Sequence, residues 1–119
     1  MVLDLDRLAE RVGLDREDVA DLLEVFLETA PAAAENLERA LRERDFAVAA
    51  RAAHTIKGGA ATVGLEESAG LAAELERRLR TLAGQDDAQA SDNDGLDAQV
   101  QALHNCLERV RTAYEDASP

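Results

Sequence analysis

Apolar residues recur at alternating intervals of three and four in two segments, and this spacing is what most constrains the fold. The first segment carries Phe46, Ala49, Ala53, Ile56, Ala60 and Val63. The second carries Leu96, Val100, Leu103, Leu107, Val110 and Tyr114. The spacing is typical of helices that pack inside a bundle. Only 3% of the residues are aromatic, so the core must be built mainly from Leu, Val and Ala.

The first half of the chain shows the same periodicity with recognisable helix ends. A short first helix is predicted between Asp4, as the N-cap, and Gly13, as the C-terminal stop. Asp15 is the next N-cap candidate, with Asp18 in a weak capping box. The apolar stripe of the second helix is interrupted at Pro31 and then resumes, so we expect either a kink or two abutting helices there.

Two further helices and a loop complete the pattern. Asp45 caps the third helix and Gly64 ends it, and the fourth helix follows so closely that the two should form an antiparallel hairpin. Residues 84–95 are polar and acidic, which predicts a mobile loop before the last helix. The predicted fold is all-α: one domain over residues 1–119, an antiparallel up-down four-helix bundle with a short extra N-terminal helix.

Charge and composition exclude several classes of function. A formal net charge of −12 argues against nucleic acid or an anionic membrane as partner. No apolar run approaches the roughly 20 residues that span a bilayer. The acidic N-terminus does not resemble a signal peptide, and the single cysteine, Cys106, fits a reducing compartment. We therefore expect a cytoplasmic protein, with Cys106 as a partly buried small residue.

Two adjacent glycines stand where a helix is least tolerant of them. Gly58 and Gly59 lie inside the third helix, and each costs about 1 kcal/mol relative to alanine. His54 lies one turn before Gly58, next to the apolar stripe but outside it. Its helical neighbours include the small residues Ala47, Ala50, Gly58 and Ala61, together with Arg51 and Lys57. We interpret Gly58 as clearance for a partner that approaches His54, and Gly59 as a helix-packing position.

Glu76 is predicted to face His54 across the hairpin. His54 lies ten residues before Gly64 and Glu76 twelve after it, so they should stand at about the same height on neighbouring helices. A carboxylate there would hold one ring nitrogen and leave the other free as a nucleophile. Arg51, Lys57, Arg77 and Arg80 would add a small basic patch. The alternative is that Glu76 only forms a surface salt bridge with Arg80 at i,i+4.

The segment His54-Thr55-Ile56-Lys57-Gly58-Gly59-Ala60-Ala61-Thr62-Val63-Gly64 resembles the signature of the histidine-containing phosphotransfer (HPt) domain family. The resemblance extends to Phe26-Leu27-Glu28-Thr29-Ala30-Pro31 and to the Asp45 cap, so it covers most of the chain. Gly59 departs from the common pattern, since it stands where serine is frequent. Glu76 falls where many members have a glutamine or glutamate that touches the ring, and glutamate there is similar to the variant of chemotaxis-kinase phosphotransfer domains.

The resemblance implies roles for these residues. His54 would be phosphorylated, Lys57 would stabilise the phosphoryl group, and Glu76 would orient the imidazole. Gly58, Ala50, Arg51, Ala61 and Arg80 would form the docking surface. The partners would be response-regulator receiver domains, which would supply Mg²⁺, and a sensor (hybrid) histidine kinase. The chain itself has no Gly-rich phosphate loop, so we expect a monomeric phosphoryl carrier without a cofactor or an ATP site of its own.

Two other functions fit the sequence less well. A metal-binding bundle would need Glu-x-x-His pairs, but neither His54 nor His104 has a glutamate three positions before it. We therefore expect no metal site, and His104 is interpreted as a structural or surface residue. The more serious alternative is an inactive interaction module of the same fold that docks receiver or kinase domains.

Overall fold

Five helices make up the computed structural model, which describes residues 3–84 and 94–117. They are α1 (Leu5–Val12), α2 (Arg16–Arg42), α3 (Phe46–Thr62), α4 (Glu66–Ala83) and α5 (Asp94–Ala117). Helices α2 to α5 form an antiparallel four-helix bundle in which each helix packs on the next and α5 closes against α2. Helix α1 lies against α2. The described residues contain no strand. The predicted fold class is confirmed.

The predicted N-cap residues lie at the helix starts, and all but one of them form a capping hydrogen bond. The carboxylates of Asp4 and Asp45 accept hydrogen bonds from the backbone N–H groups of Arg7 and Val48, at 3.1 and 3.2 Å. Asp15 occupies the N-cap position of α2, but its side chain makes no capping bond, so the capping box predicted there is absent.

The turn between α3 and α4 depends on a glycine. Gly64 has a φ of +77°, a left-handed conformation that is costly for residues with a Cβ atom. A Cβ atom there would also lie 3.2 Å from a methyl carbon of Val12, and Arg11 donates a hydrogen bond to the Gly64 carbonyl at 3.0 Å. The turn of the hairpin is therefore tied to α1.

Helix α2 runs unbroken through Pro31, so of the two alternatives expected there, a kink or two abutting helices, the second is wrong. Proline has no N–H, which leaves the carbonyl of Leu27, four residues earlier, without its helical donor. The guanidinium of Arg111 on α5 lies 3.5 Å from that oxygen and is oriented to donate to it. A neighbouring helix thus supplies a donor for the carbonyl that the proline frees.

The predicted acidic loop falls mostly on residues 85–93, which lie outside the described residues. At its two ends the prediction can be compared with the structure. Gly84 follows the last turn of α4, as expected, but Asp94 and Gly95 already belong to α5. The last helix therefore begins two residues before its first apolar residue, Leu96.

The core contains the whole apolar stripe of α3 predicted from the sequence: Phe46, Ala49, Ala53, Ile56, Ala60 and Val63 are all buried. Cys106 is completely buried rather than partly so, and its Sγ lies 3.1 Å from Oγ of the buried Ser68. None of the described helices is both long enough and apolar enough to cross a membrane.

Candidate functional site

His54 projects from the exposed side of α3. Its side chain is 58% exposed, whereas its neighbour Ala53 is completely buried. Gly58 and Ala61, one and two turns further along, are exposed as well. The imidazole therefore stands on a helix surface with little side-chain bulk on its C-terminal side.

Glu76 reaches His54 from α4. Glu76 is only 7% exposed, and its Oε2 atom lies 3.0 Å from Nδ1 of His54. The contact predicted from equal heights on the hairpin is therefore present. An ionised carboxylate can only accept hydrogen bonds, so Nδ1 must carry the proton in this contact. In the neutral ring the lone pair then lies on Nε2.

The same carboxylate binds two cations. The Lys57 ammonium lies 2.8 Å from Oε1, and Arg80 donates to Oε2 through Nε at 2.9 Å and Nη2 at 2.7 Å. The Glu76–Arg80 pair expected as the alternative to a His54 contact is thus present together with it. The alternative described this pair as a surface salt bridge, and that part is wrong, because the Glu76 carboxylate is buried.

These contacts keep Glu76 ionised. Burial alone would raise the pKa of its carboxyl group, because it disfavours the charged form. The hydrogen bonds from Lys57, Arg80 and His54, with the charge of Lys57, outweigh burial and lower the pKa from 4.5 to about 2. With one carboxylate and two cations, the cluster carries a positive balance on a protein whose net charge is −12.

The two adjacent glycines have different surroundings. A Cβ atom on Gly58 would meet nothing within 4 Å, so no packing contact requires glycine there. A Cβ atom on Gly59 would lie 2.9 Å from Cδ1 of Phe26 on α2, closer than real contacts allow. The interpretation of Gly59 as a helix-packing position is confirmed.

The remaining predicted site residues are not all brought together. Arg51 and Arg77 are exposed, and in the described part of the chain no side-chain contact joins either of them to the Glu76 cluster. Ala50, predicted to belong to a docking surface, is 1% exposed and faces the core. That prediction placed Ala50 on the wrong side of the helix. Ala50 lies about 100° around the helix axis from the buried Ala49, and the buried face of α3 is wide enough to include both.

Sequence reasoning missed how fully Glu76 is buried and that Lys57 and Arg80 share it. The signal in the sequence was the i,i+4 spacing of Glu76 and Arg80 beside the core residue Leu75.

Among residues 3–84 and 94–117, no group of three His, Cys, Asp or Glu side chains is placed to hold a metal ion.

One comparison with known proteins identifies a family. The family model of the Hpt domain matches residues 21–113, which include His54, Lys57, Glu76 and Arg80 and reach into all four bundle helices. The chain belongs to the Hpt domain family. Neither the curated proteins nor the solved structures give a match. Hpt domains are phosphocarriers of two-component phosphorelays, in which they interact with receiver domains and kinases. Histidine phosphotransfer is therefore the general function of this chain.

The first prediction compares alanine substitutions at the two adjacent glycines of this Hpt domain. Gly58→Ala should raise the free energy of unfolding by about 0.5–1 kcal/mol, because alanine favours the helix and its Cβ meets open space. Gly59→Ala should lower it by about 1–2 kcal/mol, because the clash with Phe26 exceeds the same gain in helix propensity. Urea unfolding of both variants measures the difference. Equal effects of the two substitutions would contradict the separate roles of the glycines.

The second prediction concerns the acid stability of the Glu76 cluster. The folded-state pKa is lowered, so the stabilisation is complete above the ordinary value of 4.5 and is lost as the pH falls towards 2. A shift of this size corresponds to about 3 kcal/mol. The difference between the unfolding free energies of the wild type and Glu76→Gln should therefore decrease by about 3 kcal/mol as the pH falls from 5 to 2. A gap that stays constant over this range would show that Glu76 is not held ionised by its partners.

Proposed function

We propose that His54 receives a phosphoryl group on Nε2 from the aspartyl phosphate of a receiver domain and passes it to the aspartate of another receiver. The observation that carries this proposal is the 3.0 Å contact between Nδ1 of His54 and the buried Glu76 carboxylate. It assigns the proton to Nδ1 and leaves the lone pair of the exposed Nε2 available for attack.

Transfer of the phosphoryl group to Nε2 does not require the imidazole ring to lose a proton. The Nε2 lone pair forms the bond to phosphorus while the bond between phosphorus and the aspartyl oxygen breaks. The aspartate departs as a carboxylate with the bonding electrons. The product ring, phosphorylated on Nε2 and protonated on Nδ1, is positively charged. The ionised Glu76 stabilises this charge better than a neutral glutamine would. Transfer to the next receiver is the reverse reaction with a new aspartate.

Positive charge beside the ring supports the same chemistry. Phosphoryl transfer spreads negative charge over three equatorial oxygens, and catalysis consists largely of positioning and charge neutralisation. Lys57 and His54 bind the two oxygens of one carboxylate, so the ammonium lies close to the imidazole. The Lys57 ammonium stands on a flexible side chain, which can turn towards a phosphoryl group. In this proposal Mg²⁺ belongs to the receiver, and the chain acts as a monomeric carrier without ATP or any other cofactor.

Docking would use the surface around Gly58. Gly58 has no side chain, Ala61 is small and exposed, and the exposed Arg51 and Arg80 supply positive charge. This charge suits the acidic metal-binding cluster that we expect at a receiver active site. An inactive docking module would have no use for a buried, ionised Glu76 aligned on His54, so the intact cluster favours the active carrier.

The third prediction tests the phosphorylated residue. Incubation with a phosphorylated receiver domain should label the wild-type protein with acid-labile, base-stable phosphate. His54→Gln should remove the label, because an amide has no lone pair able to attack phosphorus. Circular dichroism checks that the variant is folded, and His104→Gln is the matched control, which should still be labelled. Persistent labelling of His54→Gln would refute the assignment.

The fourth prediction tests access to His54. Gly58→Gln should leave the fold intact but slow transfer from the receiver about tenfold or more, a barrier increase of about 1.4 kcal/mol. The matched control is Gly70→Gln on α4, another helical glycine whose Cβ would meet open space. Transfer by Gly58→Gln at the wild-type rate, or equal slowing by Gly70→Gln, would contradict the clearance role.

A further inference from the structure

The two oxygens of Glu76 are used unequally. Oε2 accepts three N–H groups: two from Arg80, at 2.9 and 2.7 Å, and Nδ1–H of His54 at 3.0 Å. Oε1 binds Lys57 at 2.8 Å. Within the described residues no other side chain is recorded on Oε1. Lys57 can therefore depart without disturbing the contact between Glu76 and the imidazole.

We propose that Arg80 is a positioning residue that holds Glu76 on His54 and thereby frees Lys57 to move between Glu76 and the phosphoryl group. This inference rests on the proposed function, since it takes His54 as the phosphorylated residue. It assigns Arg80 a role inside the site in addition to any contact with a partner. Lys57 is bound to Glu76 in the resting protein and to the phosphoryl oxygens in the phosphorylated one.

Burial of Glu76 makes a second cation necessary as long as the His54 ring is neutral, that is, until the bond to phosphorus has formed. A carboxylate that is 7% exposed has lost most of its hydration, and removal of its last cation would leave a buried charge uncompensated. If Lys57 were the sole cation, its attraction to Glu76 would compete directly with its attraction to the phosphoryl group. With Arg80 in place, one positive charge stays on the carboxylate when Lys57 leaves before the transfer, and the phosphorylated ring adds a second one afterwards.

The two cations are suited to different tasks. Arg80 lies one helical turn after Glu76 on α4 and directs two N–H groups of its planar guanidinium to one oxygen, which fixes the carboxylate. Lys57 comes from the other helix, one turn after His54, and its one ion pair within residues 3–84 and 94–117 is with Oε1 of Glu76. An ammonium on a flexible chain can turn towards either anion at little cost. Arg80 is thus the holder and Lys57 the mobile group.

The test uses phosphoramidate, a small phosphoryl donor, so that docking of a receiver plays no part. Phosphorylation of His54 is followed by ³¹P NMR in the wild type and in Arg80→Met. We expect Arg80→Met to be phosphorylated about fivefold more slowly, because Lys57 stays bound to Glu76. Arg109→Met is the matched control: Arg109 also donates to a glutamate at 2.7 Å, but that glutamate, Glu67, is exposed. This variant should react at the wild-type rate.

Three further measurements distinguish the proposed role of Arg80 from a merely structural one. In a Glu76→Gln background, Arg80→Met should have no further effect on the rate, because a neutral amide does not retain Lys57. The ¹⁵N resonance of Lys57 Nζ should shift on phosphorylation in the wild type and shift much less in Arg80→Met. Arg80→Lys, which keeps the charge but only one donor group, should show an intermediate rate.

The outcomes distinguish the proposed function from the role of Arg80. If the wild type takes no phosphate on His54, the proposed function fails. If the wild type is phosphorylated but Arg80→Met matches it in rate and in the Lys57 shift, the function stands and the role of Arg80 is overturned. If Arg80→Met does not fold, Arg80→Lys decides: a wild-type rate together with a wild-type shift would overturn the proposal. An equal loss of rate with Glu76 present and in the Glu76→Gln background would also overturn it.

Discussion

The buried carboxylate of Glu76 is the contact on which the site depends. It comes from α4, yet it fixes the proton on a histidine of α3 and binds a lysine of α3 and an arginine of its own helix. Without its partners the group would be costly to bury, and without the group the imidazole would have no fixed tautomer. The two helices of the hairpin are therefore joined by the same contacts that leave the lone pair of the imidazole on Nε2.

The rest of the bundle keeps those two helices in register. The left-handed Gly64 makes the turn so short that residues about equally far from it come to the same height. Arg11 of α1 binds the carbonyl of that glycine, and Phe26 of α2 packs against Gly59 in the last turn of α3. These contacts lie away from His54, but each constrains the helix that carries it. The position of the imidazole is thus a property of the whole fold.

Electrostatics give the site a sign opposite to that of the molecule. A chain with a net charge of −12 gathers two cations around a single carboxylate beside an exposed histidine. The excess positive charge suits a phosphoryl group and an acidic partner surface, while the acidic remainder disfavours nucleic acid and anionic membranes. Because the cluster is partly buried, its interactions are screened less by salt than those of exposed ion pairs. The contacts of Glu76 with His54 and Arg80 should therefore depend less on ionic strength than those of the exposed pair of Arg109 and Glu67.

The sequence by itself determined the helices, the bundle, and the placement of His54 opposite Glu76. Helical periodicity gives the face of the helix on which a residue lies, and the number of residues from a short turn gives its height along the hairpin. It also separated Gly58 from Gly59, since neighbouring residues point about 100° apart. It could not determine that α2 continues through Pro31, because the donor for the freed carbonyl is Arg111, 84 residues away. Nor could it place Ala50 in the core or show that Lys57 and Arg80 share Glu76. Those outcomes depend on how closely neighbouring helices approach, and only the packed tertiary structure decides how much of each side chain remains in water.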